Sequence, residues 1–593
     1  GTIDPRGWEH LQRFELADGA PHWHFRLGEA DLQKTVFMPH GHNAAWTVYE
    51  YTSGTVPLAL EIAPLLNHRD FHGETRASEW HPAIEAVDGG VKVTLFPNAH
   101  PIWILFPGGA FNTSPAWING IRHRVETERG QPDLEDALKI GAITATLSPG
   151  EAFAILVSAE RPTEEVHHWR AAREAVGRRH GDLLRAASLD APGWVQQLVL
   201  AADQFVVLRT EAILPAATEW RANDGPERTV IAGYHWFSDW GRDTMIALPG
   251  LTLSTGRPEV ATSLLRTFAR HVSRGMLPNR FPDSGEQPEY NTVDATLWYF
   301  HAVDRYVAAT GDEALGRELW PVLEDIVGWH LRGTRYGIRC EADGLIAAGV
   351  PGVQLTWMDA KVDDWVVTPR VGKPVEINAL WINALRAMEA LARQLGVRAA
   401  HDYGARAARA AASFDRFWFA EGGYLFDVID TPEGGDDSSL RPNQLLAVSL
   451  PYAPLAATEA RARAVVDVCQ RALLTPYGVR SLAPDHPGFV ATYGGDRYRR
   501  DGAYHQGTAW GWLIGPFVEA HFKVYGDRAQ AAAFLQPLAE VMTQFGVGSL
   551  AEIYDATAPF KPEGCMAQAW SVAEALRVWR MVNGKWKMTN VEC

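Results

Sequence analysis

Residues 194–208 read Trp-Val-Gln-Gln-Leu-Val-Leu-Ala-Ala-Asp-Gln-Phe-Val-Val-Leu. Their apolar side chains recur every three or four positions, the spacing that lines one face of a helix. Upstream the pattern is different. Through about residue 160 the β-prone runs are short, at 33–38, 45–51, 58–62, 91–95, 102–106 and 143–147, each broken by Gly, Pro or Asp, which reads as an antiparallel β-sandwich over residues 1–160. Residues 161–190 turn charged and rich in Ala and Arg at helical spacing and read as a helical linker. Across 191–593 the helical period returns at 260–272, 295–308, 315–331, 377–395, 405–417, 460–474, 507–522, 529–545 and 568–582. With short pieces after Asp243 and after Pro442, this makes roughly twelve helices joined by long polar and aromatic connections. Such a series predicts inner and outer helices paired and closed into an (α/α)₆ barrel, whose connecting loops form a cleft at one end. An open helical solenoid is the competing architecture, and the fixed short repeat it usually carries is not seen.

Composition narrows the partners. A chain of 593 residues, 47% hydrophobic and 21% charged, is long enough to bury more than one core. Its 23 Trp, 16 Tyr and 23 Phe supply flat apolar faces for sugar rings as well as for ordinary packing. The net charge of −16 comes with no long basic run, which argues against nucleic acid and anionic membranes and for a neutral ligand. Cys340, Cys469, Cys565 and Cys593 are far apart and fit neither a metal-ligand spacing nor a dense disulfide pattern, which points to a reducing, cytoplasmic setting. No stretch approaches the roughly 20 apolar residues of a membrane span. The visible N-terminus shows no basic-then-apolar signal, although the chain starts at Gly1 rather than Met, which is compatible with a removed or unrepresented leader.

Five segments carry residues suited to chemistry on a sugar. Residues 236–243, Trp-Phe-Ser-Asp-Trp-Gly-Arg-Asp, set Trp240 beside Arg242 and Asp243, an indole to stack on a pyranose with a donor and an acceptor for its hydroxyls. A buried ion pair under a tryptophan is the plainer reading. Residues 290–298 open a helix and put Asp294 and Trp298 four apart on one face, suited to substrate contact or to a helix N-terminus above a core tryptophan. In residues 354–359, Gln-Leu-Thr-Trp-Met-Asp, Trp357 stands near Asp359, so the ring can raise the carboxyl's pKa and make it a general acid. A turn or helix-cap aspartate is the alternative, and Asp363 and Asp364 nearby look solvated. Residues 501–512 bring His505, Gln506 and Trp510 to the mouth of an apolar helix, with no partner for His505 at a metal-ligand spacing. Glu552, in an apolar stretch before the last helix, is placed to deprotonate water or, more plainly, to sit on a loop surface.

In order along the chain these five segments resemble the glucosidase part of glycogen debranching enzymes, the bacterial and archaeal amylo-α-1,6-glucosidases. Residues 33–43, Gln-Lys-Thr-Val-Phe-Met-Pro-His-Gly-His-Asn, resemble that family's N-terminal domain. The resemblance implies a β-sandwich followed by an (α/α)₆ barrel, shared more distantly with glucoamylase and trehalase, and an inverting hydrolysis of α-glucan without metal or cofactor. On that resemblance Asp359 is the general acid, Glu552 the general base, and Arg242 and Asp243 hold the non-reducing glucose. An inverting hydrolase needs two carboxyls roughly 6.5–9.5 Å apart with a water between, and two inter-helix loops can bring residues 359 and 552 together in that way. Two departures stand out. The chain begins well inside the family's usual Gly-rich opening. After about 190 residues for the sandwich and about 400 for the helices, none remain for the separate transferase barrel of eukaryotic members, about 250 residues, so hydrolysis without four-glucose transfer is expected.

Other readings stay open at this level. A glucoamylase-like exo-hydrolase of other α-glucosides would use the same carboxyls. A phosphorylase of the same layout would put phosphate where Glu552 repels it. A non-catalytic glucan-binding protein would keep the aromatic cleft without needing both acids. Linkage preference, chain-length preference and oligomeric state are not set by these residues.

Overall fold

The structure, a computed structural model, describes residue 3 and residues 6–209, 227–282 and 287–584. The chain forms two compact units, Gly1–Arg185 and Ala186–Cys593.

In the first unit β1 (Leu11–Ala17), β2 (Ala20–Leu27), β3 (Ala30–Phe37) and β4 (Ala44–Ser53) run as an antiparallel meander. β5 (Leu58–Ile62) and β6 (Leu65–Leu66) leave that sheet, whereas β7 (Ala83–Val87), β8 (Gly90–Thr94) and β9 (Ile102–Leu105) return to it. β10 (Ala110–Arg122) and β11 (Leu134–Leu147) join β5 and β6 in a second sheet, and β12 (Ala152–Ser158) inserts between β4 and β9. Val91, Val93 and Ile104 of the first sheet meet Leu138, Ile140 and Ile143 of the second in one buried cluster. On the other face of the first sheet, Trp46, Val48 and Leu156 pack with Ala172 and Val176 of the helix Trp169–Ala187. The Trp46 indole donates to the Val166 carbonyl at 3.1 Å.

The β-runs expected from the sequence fall on β3, β4, β5, β8, β9 and β11, while β1, β2, β7, β10 and β12 escape the pattern. β2 hides its apolar face among His22, His24 and Arg26. β10 is exposed over most of its length. β12 is an unbroken apolar run between two strands, where alternation has no reason to appear.

In the second unit six helices are buried on most sides: α1 (Gly241–Leu248), α2 (Asp294–Thr310), α3 (Val375–Leu395), α4 (Leu446–Ser449), α5 (Ile514–Tyr525) and α6 (Ala569–Val582). Each packs on the next, and α6 packs on α1. Amphipathic helices lie against them: Pro258–Arg270 on α2, Glu313–Arg332 on α2 and α3, Ala400–Phe414 on α3, Ala460–Ala472 on α5, Arg528–Ala533 on α5 and α6, and Gly193–Gln204 on α6. Pro258–Arg270 shows the reason, burying Val260, Ala261, Leu264, Leu265 and Phe268 at helical spacing and leaving Glu259, Thr262, Arg266 and Arg270 at least partly open to solvent.

Three expected helices are cut short. The run 194–208 ends its helix at Gln204, and Val206–Leu208 pairs as a strand with Arg228–Val230. The run 507–522 becomes a helix only from Ile514, because Ala509–Trp510 is taken into a ribbon with Val479–Arg480 and Ile553–Tyr554. The run 529–545 is interrupted ahead of Pro537, which has no N–H to continue the first helix and instead opens a new turn, Pro537–Val541. Among the described residues no helix is long and apolar enough to cross a membrane.

Candidate active site

The N-terminal ends of α1, α2 and α6 gather the polar residues singled out in the sequence. Ahead of α1, Asp239–Trp240 pairs with Arg280–Phe281, and a Cβ on Gly241 would collide with the carbonyl oxygen of Pro278. That close approach requires glycine, and the two side chains that follow it, Arg242 and Asp243, are buried. Arg242 is 2% exposed and spreads its guanidinium over three elements. Its Nε donates to both carboxylate oxygens of Asp294 at 2.9 Å, Nη1 donates to Oδ2 of Asp359 at 2.6 Å, and Nη2 donates to the Thr356 carbonyl at 3.1 Å. Burial works against its charge, but the carboxylates of Asp294, Asp359 and Asp243 outweigh that penalty and raise its pKa.

The loop bearing Asp359 is fixed from several sides. Val293 N–H donates to the Leu355 carbonyl at 2.8 Å, tying the loop to the start of α2. Trp357 is buried, its Nε1 donating to Asn443 at 2.7 Å, and its ring meets Trp510 and Trp512 edge-on at 5.2 and 5.5 Å. Asn443 in turn donates to Asp427, which with Glu376 holds the buried Arg370. The Asp359 carboxyl keeps 25% of its surface, and burial raises its pKa against the pull of Arg242.

Glu552 reaches the same region from the ribbon. Trp510 pairs with Ile553 across it, so the residue before Ile553 lands beside the loop that carries Tyr504. Glu552 is 3% exposed; Oε1 accepts from the Tyr504 hydroxyl and Oε2 accepts from Cys565 N–H at 3.0 Å. Gly564, at φ +66°, is again a necessary glycine, since a Cβ there would stand 2.5 Å from Oε2 of Glu552. Asp243 accepts from Gln568 Nε2 at 3.2 Å. Burial lifts its carboxyl well above the usual range; Arg242 opposes this, and the charges of Glu552 and Asp359 add to it. Burial also drives the Tyr504 hydroxyl well above its ordinary value, with Glu552, Tyr493 and Asp359 adding to the rise. Tyr504 therefore stays a proton donor.

Arg242 and Asp294, expected as sugar ligands, are buried against each other, and Asp294 is 1% exposed with Thr292 and the Ala295 N–H as its other donors. Trp298, Trp357 and Trp510, expected to contact substrate, are packed in an aromatic core. His505 is fully buried, stacked on Trp510 at 4.9 Å, and burial lowers its pKa far enough to keep it neutral. Gln506 bridges Arg441 and Thr368. Glu552 is not on a loop surface, whereas Asp363 and Asp364 are exposed as expected. Trp240 remains half-buried, with the Arg280 guanidinium 5.8 Å over its ring. Tyr504 and Thr356 lie inside the segments 501–512 and 354–359, and Cys565 and Gln568 border the last helical run, yet only their partners across the fold reveal their use.

Cys469 and Cys565 are buried, the Cys565 thiol donating to the Tyr234 carbonyl at 2.7 Å, Cys340 is half-buried, and Cys593 lies outside the described residues. Among the described residues no group of three or more His, Cys, Asp or Glu is placed to hold a metal ion.

The family model for amylo-alpha-1,6-glucosidase matches residues 200–577, and that for the glycogen debranching enzyme N terminal matches residues 1–154. The glycogen debranching enzyme of Saccharomyces cerevisiae is 25% identical over 445 residues, a match that takes in 58% of this chain and 28% of the yeast protein. A bacterial glucoamylase solved in complex with acarbose superposes with a TM-score of 0.60 at 11% identity, covering 97% of this chain and 85% of that one, a likeness of fold. With 200–577 spanning every polar residue of the site, the chain belongs to the amylo-alpha-1,6-glucosidase family of glycoside hydrolases.

Proposed function

We propose that these residues form an inverting hydrolase that releases glucose from α-1,6-linked branch stubs of glycogen or limit dextrin, with Asp359 as general acid and Glu552 as general base. The observation that carries the reading is the chain of contacts between the two carboxyls: Arg242 holds Asp359, its neighbour Asp243 accepts from Gln568, and Gln568 N–H donates to the Leu550 carbonyl two residues before Glu552. The helical unit is read as an (α/α)₆ barrel. Supporting this are the circuit of contacts from α1 to α6 and back and the outer helices against it, which would put the N-terminal loops of the inner helices around one mouth.

In this scheme burial keeps a proton on Asp359 to higher pH than a solvated aspartate would allow, and Arg242 occupies Oδ2, leaving Oδ1 to carry it. Asp359 gives that proton to the glycosidic oxygen as the bond to the anomeric carbon breaks. Glu552, with both oxygens already acting as acceptors, takes a proton from the water that attacks the opposite face. One water is consumed, the shortened glucan leaves as an alcohol, and an α-linkage yields β-glucose. Asp243 would accept a sugar hydroxyl and Trp240 would offer a stacking face. Four-glucose transfer is not part of the proposal.

Product analysis in phosphate-free buffer tests it, on limit dextrin, isomaltose, panose, maltose and trehalose. Glucose from the α-1,6-linked substrates is expected. Cleavage of maltose or trehalose alone would overturn the linkage assignment, and release that depends on added phosphate would overturn hydrolysis.

A further inference from the structure

The polar cluster sits at one end of the inner helices. At their other end lies a cavity of about 570 Å³, within the 300–1,000 Å³ that small-molecule sites occupy. Its walls include Phe300, Val307, Met388, Leu391, Leu450 and Phe522, from the C-terminal parts of α2, α3 and α5 and the segment after α4. Asp304, also in the lining, lies about 15 Å beyond Asp294 along the α2 axis at about 1.5 Å per residue, so the two regions are well separated.

The cavity has a cause in the sequence. α4 is 4 residues long, whereas α3 runs for 21. It ends because Leu450 is extended, at φ −60° and ψ 150°, ahead of Pro451, whose ring disfavours a helical residue before it. The missing turns leave space that the segment from Tyr452 to Thr458 only partly fills. Lys523 closes the broken end: its Nζ donates to the carbonyls of Ser449 at 2.5 Å and Leu450 at 2.8 Å, groups a longer helix would have satisfied itself.

Charges around the cavity are already matched. Lys523 pairs with Glu519 at 3.5 Å, Glu519 with Arg577 at 2.6 Å, and Asp304 with Arg305. An ionic ligand would thus lack a spare countercharge among these groups, and the apolar walls would leave most hydroxyls of a sugar without partners. The Tyr452 hydroxyl is 3.4 Å from Oδ1 of Asp304, a long bond that a ligand hydroxyl or amine can replace or complete. From this balance we propose that the cavity is a second binding site, for a neutral and largely apolar molecule with one hydrogen-bonding end directed at Tyr452 and Asp304.

The probe for this is phenylnaphthylamine, which is neutral and brightens in apolar surroundings. The whole chain should bind it saturably, one per chain, and excess maltoheptaose should leave binding unchanged because the glucan belongs at the other end. Ala390→Phe, from α3, and Ala457→Phe, from the loop, fill the cavity from opposite walls. Each should weaken binding about tenfold or more while the protein still melts cooperatively. Non-saturable brightening, displacement by maltoheptaose, or undiminished binding by a cooperatively melting variant would overturn the proposal. The stoichiometry and the maltoheptaose competition decide it on the unsubstituted protein even if both variants fail to fold.

Discussion

Replacing Arg242 by lysine separates two roles that a sugar-binding arginine and an acid-holding arginine would otherwise share. The guanidinium makes charge-assisted bonds to Asp294 and Asp359 and a further bond to the Thr356 carbonyl, all at 3.1 Å or less. A lysine ammonium keeps the charge but cannot span the three partners from one position. Each charge-assisted bond lost is worth about 1.5–3 kcal/mol. Loss of the bond to Asp359 falls on the step in which its proton moves, and at about 1.36 kcal/mol per decade it predicts a kcat about 10- to 150-fold lower on α-1,6-linked substrates. The bonds to Asp294 and Thr356 fall on folding, so the urea midpoint should also drop. α-Glucosyl fluoride is the discriminating substrate, because fluoride departs with little help from a proton. Its kcat should fall much less than that of isomaltose if Arg242 serves Asp359. Equal losses on both substrates, concentrated in KM with stability unchanged, would refute this reasoning and return Arg242 to the role of sugar ligand.

The catalytic pair should divide in a related way. Asp359→Asn should nearly abolish hydrolysis of poor-leaving-group glucans and spare the fluoride, whereas Glu552→Gln should slow both, since water attack is needed either way. Tyr504→Phe removes a donor from Glu552, at about 1–3 kcal/mol, and should lower kcat on fluoride and glucan alike; a loss confined to glucan would move Tyr504 to the acid's side. Asp243→Asn should raise KM and leave the shape of the pH–rate profile intact, and loss of one limb would mean that Asp243 transfers a proton. Its effect on stability has a definite sign: with the folded pKa raised by burial, the wild-type carboxyl's contribution is full below its unfolded pKa of about 3.9 and is lost as pH rises through the folded value. Asp243→Asn should therefore melt above wild type at alkaline pH, with the gain vanishing in acid; a gain that grew in acid would contradict the assignment.

Much of the second unit was legible because an amphipathic helix writes its buried face into its own period, as Pro258–Arg270 does. The inner helices α2, α3, α5 and α6 were found by the same signal even though they are buried on most sides, whereas α1 and α4 showed only as short pieces, and the start of α5 was missed because Ala509–Trp510 extends to pair with Ile553–Tyr554. Asp359 and Glu552 could be picked out as carboxyls in apolar, aromatic surroundings. The expected reason for a raised Asp359 pKa was the Trp357 ring; burial of the carboxyl raises it while Arg242 pulls it down, and the Trp357 indole is occupied with Asn443. Tyr504 was quoted in its segment and passed over, because nothing near it in sequence announces the carboxylate it meets. The same holds for Arg370, Glu376 and Asp427, a buried network built from separate loops and the start of α3.

Proton NMR of the sugar released in the first turnovers tests the mechanism most directly, before mutarotation mixes the anomers. With Asp359 protonating the leaving oxygen and Glu552 directing water to the opposite face, an α-1,6-linked substrate should give β-glucose as its initial product. Initial α-glucose would contradict the account.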